Sequence, residues 1–237
     1  TTLYAIGSLY NSDTTITIGS SSSANSDVFI GNPFQAPIDM GSLLGSTNTN
    51  TNMKSNVMYI WDPTINTRGA YVTVSLPSGS NSTGSGANQY LMPGQAAFIK
   101  TNSSGAASFT FDNAAVTDVD RVSTFRTERD FQEMRIQLFQ KDSLDHNGPV
   151  ADGIIMHFSN SYSSNYDEWD ATKPGNLDEN ISIINGGSYY SIDLRNFPMT
   201  EEKIQLNINR YRHKDYSLVI DATQLKDADA LYIDPVI

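Results

Sequence analysis

Short segments in which apolar and polar residues alternate recur along this chain, with turn-forming residues between them. Ile204–Asn209 reads IQLNIN and Ala70–Leu76 reads AYVTVSL, so each places its apolar side chains on one face of a strand. Strands about every ten residues, with no helix of normal length, are typical of sandwiches and jelly rolls. The sequence therefore predicts an all-β fold of two consecutive antiparallel β-sandwich or jelly-roll-like domains.

The segment Tyr90–Lys100, YLMPGQAAFIK, predicts the central strand of the first domain. Pro93-Gly94 is a turn signal, because proline fixes the first corner and glycine supplies a positive φ at the second. Gln95–Lys100 follows as a strand with apolar residues on both faces, so we expect it to be covered on both sides. Upstream, a single helical turn through Leu44 is predicted, with Asp39 as its N-cap.

The alternating pattern lapses near Thr117–Ser123, which predicts a domain boundary there. The predicted domains are therefore residues 1–120 and residues 121–237. The 237 residues are enough for two sandwiches of about 100 residues each. Three polar segments are predicted to be outward-facing loops: Ser46–Asn56, Ser78–Gln89 and Tyr162–Asn180.

Composition narrows the functional class and the partners. The formal net charge of −11 argues against a nucleic-acid partner, because phosphate binding needs a basic face. The chain has no cysteine, which excludes disulfides, zinc-thiolate sites and thiol nucleophiles. It has no apolar run long enough to predict a membrane span. It begins at Thr1 without a signal peptide, so we expect a mature or excised fragment.

The stretch Tyr162–Asn180 contains the candidate binding residues. Carboxylates on a turning backbone suit Ca²⁺, which takes about six to eight oxygen ligands. The proposed Ca²⁺ ligands are Asp167, Asp170, Asp178 and Glu179. The alternative is that Asp167 and Asp170 cap turns and pair with Lys173 or an arginine.

Aromatic residues in the same stretch predict a second kind of site. Tyr166 and Trp169 could form a platform on which a sugar ring stacks. The alternative is that Trp169 packs over a sheet edge. Arg210–Lys214, RYRHK, is the one basic cluster, and it predicts either a solvated strand end or a partner contact.

Motifs of catalysis and cofactor binding are missing from the sequence. It contains no pair of histidines at metal-ligand spacing, no Gly-x-Ser-x-Gly and no nucleotide-binding glycine motif. The 26 acidic residues leave a glycosidase pair open, because such a pair is defined by its spacing in the fold. We therefore predict a protein that is not an enzyme, with no catalytic residue and with Ca²⁺ as the only cofactor considered.

Ten segments spread along most of the chain form an ordered series. In the first half they are Phe29–Asp39 (FIGNPFQAPID), Met58–Asp62 (MYIWD), Tyr90–Thr101 (YLMPGQAAFIKT) and Phe109–Asn113 (FTFDN). In the second half they are Phe131–Leu138, Asp152–Phe158, Tyr166–Lys173, Tyr190–Leu194, Ile204–Leu206 and Leu231–Asp234. The series resembles a C-terminal β-sandwich module of large secreted and cell-surface proteins of Bacteroidota that use the type 9 secretion system.

The resemblance implies a cellular setting. Proteins with this module are extracellular or on the cell surface, and many are called adhesins or gliding-associated proteins. The module usually precedes a sorting domain, which the residues up to Ile237 do not include. The resemblance brings no ligand or catalytic residue with it. Asp13-Thr14-Thr15 and Asp142-Ser143-Leu144 are similar to the O-glycosylation pattern of these bacteria, which makes Thr14 and Ser143 candidate glycosylation sites.

Together these observations predict a non-catalytic structural or adhesive module of a large surface protein, which presents polar loops for contacts. The expected partners are other domains of the same protein, secretion-system components and surface glycans, with no nucleic acid and no membrane span. The alternatives are a carbohydrate-binding module of a secreted enzyme and a cargo segment of the type 9 secretion system.

Overall fold

The computed structural model describes residues 10–45, 50–118, 131–226 and 228–233. The strands are β1 (Thr14–Ser22), β2 (Asp27–Gly31), β3 (Ile38–Asp39), β4 (Val57–Asp62), β5 (Ala70–Ser75), β6 (Tyr90–Leu91), β7 (Ala96–Lys100), β8 (Gly105–Phe111), β9 (Gln132–Gln140), β10 (Asp152–Phe158), β11 (Ala171–Thr172), β12 (Asn180–Asn185), β13 (Ser188–Arg195), β14 (Gln205–Asn209) and β15 (Tyr216–Asp221). The helices are α1 (Met40–Gly45), α2 (Lys141–Asp145) and a 3₁₀ turn at Asn113–Ala115. The predicted all-β class is confirmed, since strands in mainly antiparallel sheets dominate.

The chain forms two compact units. One comprises Thr1–Ile60, Val74–Ser80 and Ala87–Arg126, and the other comprises Trp61–Thr73, Asn81–Gly86 and Thr127–Ile237. The expected boundary near residues 117–125 lies mostly outside the described residues. The domain limits 1–120 and 121–237, and their sandwich architecture, stay predictions.

The predicted central strand is β7, and the structure confirms the turn that precedes it. The amide of Gln95 donates to the carbonyl of Met92 at 3.0 Å, and Gly94 has a φ of 75°. β7 lies between β2 and β4 in a sheet of order β2–β7–β4–β5. Ala97 and Ile99 are buried, whereas Ala96 and Phe98 are only half-buried. One face is therefore covered as expected, and the other is covered only in part.

Two of the predicted outward loops are partly buried. Ser80–Thr83 are buried because the Asn81 side chain folds the loop locally: its Oδ1 accepts from the amides of Thr83, Gly84 and Ser85. Lys54 and Asn56, in the first loop, are also buried. The expectation that these whole segments face outward was wrong. Asn81 bonds backbone amides of its own loop, and the backbones of Lys54 and Asn56 bond those of Lys100 and Leu76, so water is not needed to satisfy these groups.

The second unit contains a mixed sheet of order β14–β12–β13–β10–β9–β15, with β11 on β13. β10 and β13 run parallel, and the other neighbours run antiparallel. Gly153 in β10 permits close packing, since a Cβ there would lie 2.3 Å from the carbonyl oxygen of Ser82. The buried core consists of Met134, Ile136, Leu138, Ala151, Ile154, Met156, Phe158, Ile181, Ile183 and Tyr190.

The connection between β14 and β15 indicates that this sheet is strongly curled. In a flat sheet, five strand spacings of about 4.8 Å would separate the two strands by about 24 Å. That is about the full reach of the seven Cα steps from Asn209 to Tyr216. The connection is not extended, because the Tyr216 hydroxyl accepts from the amides of Arg212 and His213. Side chains from both strands pack on the same core: Leu206, Ile208, Leu218 and Ile220.

The apolar run Ala230–Ile233 predicts a strand, but the structure gives it no regular secondary structure, and Leu231, Tyr232 and Ile233 are exposed. The apolar sequence alone was misleading, because a strand also needs a hydrogen-bonding neighbour. None of the helices within the described ranges has the length and apolar character needed to cross a membrane.

Candidate functional site

The acidic loop, Tyr162–Asn180, lies between β10 and β12 and has two different halves. In its first half Ser163–Tyr166, Glu168 and Trp169 are exposed. In its second half Asn176 and Asp178–Asn180 are buried. The prediction of an outward-facing loop is therefore confirmed for the first half and wrong for the second.

Two aspartates fix the backbone around Trp169. Asp167 Oδ1 accepts from the amide of Trp169 at 2.9 Å, and Asp170 Oδ2 accepts from the amide of Asp167 at 3.0 Å. Asp170 Oδ1 also accepts from the amide of Leu194 in β13 at 2.8 Å, which ties the loop to the sheet. Asp167 and Asp170 thus cap a turn, as the alternative to Ca²⁺ binding expected. Lys173 pairs with neither of them.

Asp170 is buried next to another acid, Asp193 in β13. Burial raises the pKa of Asp170 to about 7, and the nearby charge of Asp193 adds to this effect. Burial also raises the pKa of Asp193, against the opposing effect of Arg195, whose Nε lies 2.5 Å from Asp193 Oδ2. Arg195 Nη1 in turn lies 2.5 Å from Glu202 Oε1.

Asp193 and its neighbours are not among the site residues that the sequence predicts. The only signal was a pair of charged residues, Asp193 and Arg195, within a strand of otherwise apolar or small residues. Buried charges of this kind are usually paired, so such a pattern indicates a polar cluster inside the fold.

The other two predicted Ca²⁺ ligands have different partners. Asp178 Oδ2 accepts from Arg68 Nε at 2.7 Å, and Asp178 Oδ1 lies 2.7 Å from Arg212 Nε. These arginines, Arg68 first, hold the pKa of Asp178 below its usual range.

Glu179, beside it, is fully buried. It accepts from the Tyr216 hydroxyl at 2.6 Å and from Asn66 Nδ2 at 2.9 Å. Burial alone would raise the pKa of Glu179, but these hydrogen bonds outweigh it, so the pKa lies below its usual range.

The structure therefore divides the predicted ligands between two sets of partners. Asp167 and Asp170 bind backbone amides, whereas Asp178 and Glu179 bind side chains. Across the described ranges, no group of three or more His, Cys, Asp or Glu side chains is placed to hold a metal ion. Ca²⁺ binding stays a hypothesis.

The predicted aromatic platform is exposed. Tyr166 is 44% exposed and Trp169 is 52% exposed. The Tyr166 ring lies 5.1 Å from that of Tyr190, which fixes the position of Tyr166 against β13. Both predicted ligand-binding side chains are thus partly exposed, and ligand binding by them stays a prediction.

The two glycosylation candidates lie in regular structure. Thr14 is the first residue of β1 and is half-buried. Ser143 lies in α2, and its hydroxyl donates to the carbonyl of Pro149 at 2.7 Å. Modification of these hydroxyls stays a prediction.

No protein family, curated protein or solved structure matched the chain. Its architecture places it among the all-β proteins.

Proposed function

We propose that this chain is a non-catalytic adhesive module of a larger bacterial surface protein. Contact is made through the exposed half of the acidic loop, with Tyr166 and Trp169 as the anchors. This setting rests on the resemblance to modules of Bacteroidota surface proteins and fits an extracellular location.

The observation that supports this proposal most directly is the way in which Trp169 is held. Its side chain is half-exposed, while its backbone is fixed by Asp167 and Asp170. A large aromatic side chain on a pre-ordered loop loses little conformational entropy on binding. Exposed tryptophan and tyrosine are also the residue types that dominate the energy of contact surfaces.

The acids of the loop favour a scaffolding role over a catalytic one. Asp167, Asp170, Asp178 and Glu179 each bind backbone or side-chain groups of the protein itself. Such bonds stabilise the loop that carries the aromatic residues. They also support the proposal that the module acts by presentation, with secretion cargo as an alternative that rests on the resemblance alone.

A carbohydrate-binding module is the second candidate, and the pairing of Tyr166 with Trp169 favours it. Aromatic rings stack on the apolar faces of sugars, and here two exposed rings are three residues apart on one loop.

The test compares exposed aromatic residues in different units. Binding of labelled chain to beads coated with neutral polysaccharide or with bacterial surface extract is measured by flow cytometry. We expect Trp169→Ala and Tyr166→Ala each to weaken binding about thirtyfold or more, because aromatic anchors contribute about 2 kcal/mol or more. Phe29→Ala removes an aromatic residue that is 66% exposed and should leave binding unchanged.

Equal losses in all three variants would overturn the proposal, because binding would then be general hydrophobic adhesion. Loss on the polysaccharide beads alone would select the carbohydrate-binding module. Unchanged binding by Trp169→Ala would exclude the acidic loop as the contact surface.

A further inference from the structure

A second set of aromatic and cationic side chains is exposed in the same unit. We call it the arginine surface; it comprises Trp61, Arg68, Arg210, Tyr211 and Arg212. We propose that the arginine surface binds an acidic polysaccharide, with the guanidinium groups contacting carboxylates and the aromatic rings contacting sugar rings. This inference does not depend on the function proposed for Tyr166 and Trp169.

Arginines far apart in sequence meet at this surface because Asn176 and Asp178 bind all three of them. Arg68 and Arg212 both bind the Asp178 carboxylate. Arg210 donates to the carbonyl of Asn176, and the amide of Tyr71 donates to Asn176 Oδ1 at 2.8 Å. The hairpin after β4 and the connection after β14 are thereby held to the same two residues.

The arginines keep the capacity to bind an anion. A guanidinium has five N–H donors. Binding to Asp178 uses two of the donors on Arg68 and one of those on Arg212. The side chains of Arg68 and Arg212 are 49% and 55% exposed, whereas that of Asp178 is only 8% exposed. The solvent side therefore presents mainly cationic groups, which Asp178 holds in place.

Charge balance supports an anionic ligand. Two arginines, Arg68 and Arg212, bind the Asp178 carboxylate, and Arg210 binds the backbone carbonyl of Asn176. The adjacent Glu179 is buried and bound by Tyr216 and Asn66. Lys214 and Asp215 follow in sequence and offset each other. The whole chain has a formal net charge of −11, so this concentration of arginine is local.

The aromatic members add flat apolar surface beside the arginines. The Trp61 ring lies directly on Gly69, where an added Cβ would be 2.6 Å from atoms of the ring. The centroid of the Trp61 ring is 5.0 Å from that of the Tyr71 ring. Gly69 can adopt its φ of 84° and also leaves space for the ring. Tyr211 is 57% exposed, and its ring centroid is 5.3 Å from that of Tyr216.

This combination favours an acidic polysaccharide over nucleic acid. Arginine binds carboxylates through paired N–H donors, and aromatic faces stack on sugar rings. Nucleic acid carries densely spaced negative charge, which the acidic remainder of the chain would repel. A uronic acid polymer can instead bind the arginine surface through a few sugars.

The two tryptophans allow the two surfaces to be tested separately. Trp169→Phe leaves Trp61 as the sole tryptophan reporter on the arginine surface. We expect polygalacturonate to change Trp61 fluorescence in a saturable way, and the response to weaken with added NaCl. Fully methyl-esterified pectin, which has the same sugar without the charge, should bind about tenfold more weakly or worse.

Two variants in this background locate the contact. Arg212→Gln should weaken binding of polygalacturonate about tenfold, since it removes a charged hydrogen-bond donor. Tyr211→Ala breaks none of the ion pairs and should also weaken binding. It therefore tests the same contact if Arg212→Gln does not fold. Lys203→Gln is the charge-matched control, because Lys203 is 78% exposed and its ion pair within the described ranges is with Glu201.

Three outcomes would overturn the inference. One is a Trp61 signal that does not respond to polygalacturonate. Another is an equal loss of affinity in Lys203→Gln and Arg212→Gln, which would mean general attraction to cations. The third is tighter binding of single-stranded DNA than of polygalacturonate, which would identify a phosphate-binding surface instead. None of these outcomes depends on Trp169.

Discussion

Lys173 neutralises a carboxylate in the interior of the second unit, and its removal should be strongly destabilising. Lys173 Nζ lies 2.5 Å from Asp152 Oδ1, and the two side chains are 4% and 0% exposed. Asp152 Oδ2 also accepts from the amide of Ile181 at 2.8 Å. Lys173→Met would leave Asp152 buried without its cation, and loss of one partner of such a pair costs about 3–5 kcal/mol. Urea denaturation at pH 7 measures this loss.

The pH dependence of the same variant gives an independent check. Burial raises the pKa of Asp152, and Lys173 opposes this shift. Without Lys173 the native-state pKa rises further above the unfolded value, so the variant loses stability as the pH rises through that raised pKa. The deficit of Lys173→Met should therefore be larger at pH 8 than at pH 4.

A matched double variant completes the experiment. Asp152→Asn in the Lys173→Met background removes the uncompensated charge and keeps an acceptor for Ile181, so it should recover most of the lost stability. A loss below about 1 kcal/mol in Lys173→Met, typical of an exposed ion pair, would refute the reasoning. So would a deficit that does not change with pH.

Two further predictions concern the acidic loop. The pKa of Asp170 in the folded state, about 7, lies above the unfolded value, so its contribution to stability is present at low pH and lost as the pH rises toward 7. Asp170→Asn should therefore make the melting temperature less dependent on pH between pH 4 and pH 8. An equal pH dependence in the variant and the unsubstituted chain would exclude Asp170 as the titrating group. If Ca²⁺ is bound at this loop, EDTA should lower the melting temperature by several degrees, and calcium should restore it; no shift would remove the calcium hypothesis.

Local patterns predicted the local parts of the fold. The Pro93-Gly94 turn and the strand after it are present. Asp39 caps α1 through its Oδ1, which accepts from the amide of Gly41 at 2.9 Å. The alternation in Ile204–Asn209 corresponds to β14, whose apolar residues face the core. Each of these features depends on a few adjacent residues, so sequence alone is enough to predict it.

Features that depend on distant partners could not be predicted in this way. The Arg68–Asp178 pair joins residues 110 positions apart, and Asp170 meets Leu194 across a loop and a strand. The Gly/Ser-rich loop at Ser78–Gln89 has the composition of a flexible linker, yet Asn81 folds part of it into the interior. Residue types set what a side chain can bind, but topology decides which partner it reaches.

The connection 210–215 has a consequence for how the second unit tolerates change in chain length. These six residues join the first and last strands in the sheet order, and Tyr216 fixes their course. Their number therefore limits how far apart the rims of the curled sheet can move. An insertion here would release that limit and let water reach Leu206 and Leu218, whereas the same insertion in the exposed tip near Ser163 would leave the interior closed.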